Sequence, residues 1–286
     1  MKIRPVKRMS QSQPTVEGAG VRLRRAFGFS KDNETDPFLL LDDFRSDSPS
    51  DYEKGFPWHP HRGIETITYV LAGEVAHSDS LGNQGSISAG DVQWMTAGSG
   101  IIHQEMPAGD TQGRMYGFQL WANLPAVDKM IDPCYRDVIS KKIPEVTLEN
   151  GTIIRVICGE AEGVSGAVQD VIIEPVYLDV NVPAQTKFLF EIPSTHTVIS
   201  YVFEGRAFFG DESAQGAENQ TLILWGDGDT VQVNTTDQPV RFLLIAGKPL
   251  HEPVAWYGPV VMNTQAELQI AFQELQNGTF IKKGKG

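Results

Sequence analysis

The sequence predicts an all-β protein of two similar antiparallel barrels in one chain, ending in a single C-terminal helix. Three observations point there. Seventeen prolines and 28 glycines punctuate many short β-branched and aromatic runs, a texture of strands and turns rather than of long helices. The 286 residues suffice for about two domains. Tyr69-Val-Leu-Ala-Gly73 also returns as Tyr201-Val-Phe-Glu-Gly205, a weak repeat at an offset of 132 residues.

Composition narrows the function classes. The formal net charge of −12 repels phosphate backbones, so direct nucleic-acid binding is not expected. Cys134 and Cys158 have no paired spacing and suit a reducing compartment. The opening residues contain no apolar run for a signal or a membrane span. The expected location is the cytoplasm, or also the nucleus in a eukaryote.

Taken in order, Val21-Arg-Leu-Arg-Arg-Ala-Phe27 alternates as a half-buried strand with its arginines outward, a solvated face rather than a nucleic-acid patch. Asp36-Pro37-Phe38-Leu-Leu-Leu41 reads as a buried strand after a proline turn. Asp42-Asp43, with Arg45 close by, reads as a surface pair. Glu65 to Leu71 is a β-branched strand, Leu81 to Gly85 and Ala89-Gly90-Asp91 are turns, and Val92 to Thr96 is a further strand. Arg114 to Trp121 should close the first barrel. Asn123 to Pro133 is a connector with a helical turn at Ala126–Ile131, which divides the chain into domains 1–133 and 134–286.

In the second half, the repeat offset sets Glu191 and Pro193 where His59 and His61 stand, and Thr197 where Glu65 stands. Val240 to Ala246 carries no His-x-Glu pair, so the second barrel is expected to lack a metal site. Phe188-Leu-Phe190 and Ala207-Phe-Phe209 read as core. Thr264-Gln-Ala-Glu267 is a capping box, and Leu268, Ala271, Phe272 and Leu275 form a helical stripe that Gly278 can stop. The closing Lys-Lys-Gly-Lys-Gly is expected to be disordered.

The chemistry concentrates between Phe56 and Pro107. His59-Pro60-His61 and His103-Gln104-Glu105 each place two potential ligands at i and i+2, the same face of a strand. Three imidazoles and one carboxylate form a mixed N/O set without thiolate. Such a set suits one divalent transition metal, with Fe(II) expected and Ni, Mn, Cu, Co or Zn as alternatives. These three are half of the six histidines, whereas His77, His196 and His251 have no such partner and read as ordinary polar residues.

His59-Pro-His61-Arg62-Gly63-x-Glu65-Thr66 and Gly90-Asp91-Val92-Gln93-Trp94-Met95-Thr96 through His103-x-Glu105-Met106-Pro107 resemble the pirin family of cupins. The likeness runs from Gly18 through Leu120-Trp121-Ala-Asn123-Leu-Pro125 to Gly258-Pro259-x-Val261-Met262-Asn263-Thr264, nearly the whole chain. It implies two cupin (jelly-roll) barrels and metal ligation by His59, His61, His103 and Glu105. Many other cupins take their carboxylate four residues after the His-x-His pair, the place of Glu65. The pirin pattern selects Glu105 and leaves Glu65 a supporting role.

The resemblance implies a quercetin 2,3-dioxygenase that opens a flavonol's central ring with O₂ and releases carbon monoxide, Glu105 taking the enolic proton. Trp58, Trp94 and Met95 are candidates for the pocket wall, with core the better reading for the last two. A different class is a metal- and redox-sensing regulator of a transcription factor or metabolic enzyme, its acidic surface meeting a protein partner. A third is an isomerase-like cupin whose metal polarises a carbonyl.

Overall fold

The computed structural model describes residues 1–30, 32–173, 175–211 and 216–282. From the N-terminus its strands are β1 (Val6–Gln11), β2 (Gln13–Glu17), β3 (Val21–Phe27), β4 (Phe38–Asp43), β5 (Phe56–His61) and β6 (Ile64–Ala72). They continue as β7 (Glu74–Asp79), β8 (Gln84–Ser88), β9 (Val92–Thr96), β10 (Ile101–Ala108), β11 (Tyr116–Asn123) and β12 (Cys134–Val138). The strand expected from Arg114 starts two residues later, because Arg114 is held in the preceding turn by the Asp110 carboxylate at 2.7 Å. A 3₁₀ turn at Ala126–Asp128 occupies the expected connector.

The chain forms two compact units, and neither is a contiguous half. One comprises residues 14–29, 38–140 and 250–286, and the other 1–13, 30–37 and 141–249. Long-range pairing interleaves the segments of these units, whereas the sequence reading has the contiguous domains 1–133 and 134–286. β1 joins the second unit by lying against Thr221–Trp225, which covers an edge that would otherwise be open. In that unit Thr197–Phe209, Val240–Gly247 and Val176–Val182 are adjacent antiparallel strands. Phe188 and Phe209 are fully buried in its apolar cluster, as expected of core residues.

The other unit holds the predicted metal ligands. Its larger sheet has the order β12-β9-β6-β11-β4-β3-β2, and a smaller one has β5-β10-β7-β8. Val21, Leu23, Tyr52, Val70 and Met115 form one apolar cluster, and Leu39, Ile64, Met95, Ile101 and Val261 form another. On β6 the same-face series Ile64, Thr66, Thr68, Val70 begins in one cluster and ends in the other. A polar row therefore crosses the sheet between them. Successive cross-strand partners are Arg25, Asp42, Gln119, Thr68, Gln93 and Asp137.

The expected surface pair Asp42-Asp43 is thus buried. Asp42 lies in this row with Arg25 bidentate at 2.8 Å, and Asp43 takes Arg45 at 2.6 Å. The C-terminal helix spans Gln265–Gln276 with both halves of the capping box formed. It packs through Leu268 and Ala271 on the hairpin Ala255–Tyr257/Val260–Met262. Of the expected disordered tail, Lys282 is described and pairs with Glu274 at 2.6 Å. Residues 283–286 lie outside the described residues. No helix among the described residues is long and apolar enough to cross a membrane.

Candidate metal centre

β5 and β10 run antiparallel with His59 opposite His103 and His61 opposite Ile101. The i, i+2 alternation sets His59 and His61 on one face, and the register brings His103 onto it. One nitrogen of each imidazole lies within 4.8 Å of the others, and Nε2 of His59 and His61 are 3.0 Å apart. Two nitrogens at right angles about one ion, each roughly 2.1 Å from it, stand about 3 Å apart, so the spacing fits shared coordination.

The tautomers fit as well. His59 Nδ1 is 2.9 Å from the Pro57 carbonyl, which can only accept, so the proton sits on Nδ1 and the Nε2 lone pair is free. His103 is 1% exposed, yet neither ring nitrogen has a hydrogen-bond partner among the described residues. Burial lowers the pKa of His61 well below the usual imidazole value, with His59 and His103 adding to the effect. Burial also takes His103 down to about 4, against the pull of Glu105 and Asp79. Buried imidazoles held uncharged, as His61 and His103 are, are what a metal requires. The cluster marks a single divalent-metal site.

Glu105 lies outside that cluster of three imidazoles, on the wall of a cavity that His59 and His61 also line. It is buried, and its two oxygens accept from Gln119 Nε2 at 3.2 Å each. Thr68 Oγ1 donates to Oε1 at 3.4 Å, and Trp121 Nε1 donates to Gln119 Oε1 at 3.0 Å. Glu65 is directed elsewhere. Gly63, at φ +76°, separates β5 from β6 and ends the parity that would carry His61 onto Glu65. Its conformation and the Val261 carbonyl, 1.9 Å from where a Cβ would stand, exclude other residues there. The Glu65 carboxylate accepts from Thr96 Oγ1 at 2.7 Å, and burial raises its pKa.

The cavity has a volume of 610 Å³ and aromatic walls from Phe56, Trp121 and Trp256, with Arg25 and Asp42 also lining it. Trp121 stands edge-on to His61, ring centroids 5.1 Å apart, and 5.9 Å from Trp256. The aromatic candidates named from sequence are not on this wall. Trp58 is 53% exposed, and Trp94 and Met95 are fully buried. Trp121 shares a face of β11 with Gln119, two residues before it, but neither residue type announces a site in the sequence. Trp256 is brought in by the C-terminal hairpin, which nothing near the histidines announces.

That C-terminal segment is stapled behind the ligands. Arg62, 1% exposed, donates to Ser99 O at 2.7 Å and Phe280 O at 2.9 Å and pairs with Glu274 at 2.7 Å. Lys129 Nζ, equally buried, donates to Asn123 Oδ1 at 2.7 Å, Gly63 O at 2.9 Å and Val261 O at 3.2 Å. Burial takes the Lys129 pKa down to about 8, against the pull of Glu252 and Glu267.

The chain is similar to known proteins over nearly its whole length. Residues 20–122 match the family model described as Pirin, and residues 177–281 match the Pirin C-terminal cupin domain. The chain is 43% identical over 281 residues to the pirin-like protein of Caulobacter vibrioides, covering 98% of this chain and 100% of that one. It is 41% identical over 270 residues to Pirin of Homo sapiens, covering 93% and 90%. Quercetin 2,3-dioxygenase from Acinetobacter baumannii, a solved structure, matches with a TM-score of 0.89 and 34% identity, covering 97% of this chain and 98% of that one.

Proposed function

The chain belongs to the pirin family, and we propose that it is a metal-dependent dioxygenase opening a flavonol of the quercetin type with O₂. The observation that carries this is a cluster of three imidazoles, two of which, His59 and His61, line an aromatic-walled cavity of 610 Å³ together with the buried carboxylate of Glu105, a volume suited to a small planar ligand. The Acinetobacter baumannii relative, named for that activity, supports the substrate class.

His59, His61, His103 and Glu105 would hold the metal, Fe(II) being our choice because the set contains the two histidines and carboxylate of non-heme iron oxygenases plus one further imidazole. When bound, the ion supplies positive charge that favours a deprotonated substrate hydroxyl and a route for its electron density to reach O₂. Trp121, Trp256 and Phe56 hold the planar rings and exclude water. Glu105 would accept the proton of the substrate 3-hydroxyl on its carboxylate. Gln119 and Thr68 donate to that carboxylate and hold it in place.

Glu105→Gln tests the division of labour. The amide can still coordinate weakly but accepts no proton. Quercetin turnover is expected to fall by about 10²–10⁴-fold, with a much smaller loss of metal content. Equal losses of metal and turnover would make Glu105 a ligand alone.

A further inference from the structure

We propose that Gln119 is the positioning residue for Glu105, and that Trp121 determines which way the Gln119 amide faces. The inference rests on Glu105 being the carboxylate of the metal site. An indole N–H can only donate. Trp121 Nε1 lies 3.0 Å from Gln119 Oε1, which assigns that atom as the oxygen and turns the nitrogen away. The nitrogen then meets both Glu105 oxygens at 3.2 Å, a donor against a carboxylate. A flipped amide would press its oxygen onto the carboxylate and leave the indole N–H facing a donor. The arrangement therefore has one sense.

Trp121 does more than orient the amide. Its ring is a cavity wall, edge-on to His61, and its N–H reaches Glu105 through Gln119. One side chain thus touches the space for substrate, a ligand imidazole and the holder of the carboxylate. Further along the polar row, Gln93 is committed to Asp137 at 3.1 Å. Gln119 is the amide of the row that faces a metal-site residue.

Two variants test this without turnover. Gln119→Leu removes the amide at similar size, and Trp121→Phe keeps a ring but deletes the N–H. Co(II) serves as probe. Its dissociation constant is measured by chelator competition, and its visible absorption bands report coordination. Gln119→Leu should weaken Co(II) binding about 10–100-fold and Trp121→Phe by less, the scale of losing an outer hydrogen-bond partner. Both should shift the bands, while unfolding midpoints of the metal-free proteins stay near wild type.

Binding within about twofold of wild type and unchanged bands in both variants would overturn the proposal. An effect of Gln119→Leu with none of Trp121→Phe would overturn the orienting role of the indole. Should Gln119→Leu fail to fold, Trp121→Phe decides by the same two readouts. Glu105→Gln run alongside separates premise from inference, since unchanged Co(II) binding there overturns the carboxylate's ligand role itself. A wild type that binds Co(II) but opens no flavonol would overturn the reaction and leave this test standing.

Discussion

At His59 a single carbonyl decides the chemistry. Pro57 O accepts a hydrogen bond from Nδ1–H, and the Nε2 lone pair is left facing His61. His61→Ala removes one of three converging nitrogens. Metal affinity should fall by well over the roughly 10–100-fold that losing an outer hydrogen-bond partner costs. Metal analysis against circular dichroism checks that the strands persist. Lys129 gives a pH signature of another kind. Its folded pKa of about 8 lies below the unfolded value of 10.5, so the unfolded chain binds more protons between them. Stability contributed by this group therefore rises as pH increases from about 8 to 10.5, and below 8 the burial of its charge is a cost. Denaturant midpoints of wild type and Lys129→Met across that window should show their difference moving in favour of wild type. A difference independent of pH would mean that the three carbonyl acceptors fully offset the burial.

Among the elements, β5 and β10 were legible because ligand-type residues at i, i+2 encode a shared face directly. Gln119 and Trp121 obey the same spacing on β11, but neither is a ligand type, so the spacing passes unremarked without the register to Thr68 and the contact with Glu105. Asp42 misleads for a physical reason. Adjacent carboxylates near an arginine usually lie in water, whereas here Asp42 is buried against Arg25 on β3, and burial raises its pKa to about 6 despite that partner. The C-terminal helix was legible through its capping box, but its role was not, since the Arg62 contacts with Ser99 and Phe280 join residues far apart in sequence. Arg62→Met would leave both carbonyls without that donor and Glu274 with Lys282 as its remaining cation. We expect a loss of about 2–4 kcal/mol in chemical denaturation and an earlier release of the C-terminal segment in hydrogen exchange.

For the whole molecule, the all-β class and the repeat were visible from turn residues and the Tyr69/Tyr201 echo. The interleaving of segments was not, because strand pairing is set by edges that only the folded sheets define. The site itself is contained in one compact unit, where both sheets and the C-terminal hairpin contribute to a single cavity. That containment makes the central claim open to direct measurement. Metal-replete protein is incubated with quercetin in air while O₂ consumption and carbon monoxide release are followed together. The expected result is equimolar O₂ uptake and carbon monoxide release at a rate above that of the free metal ion, abolished by chelation. No turnover above free metal with any of the plausible divalent ions would contradict it.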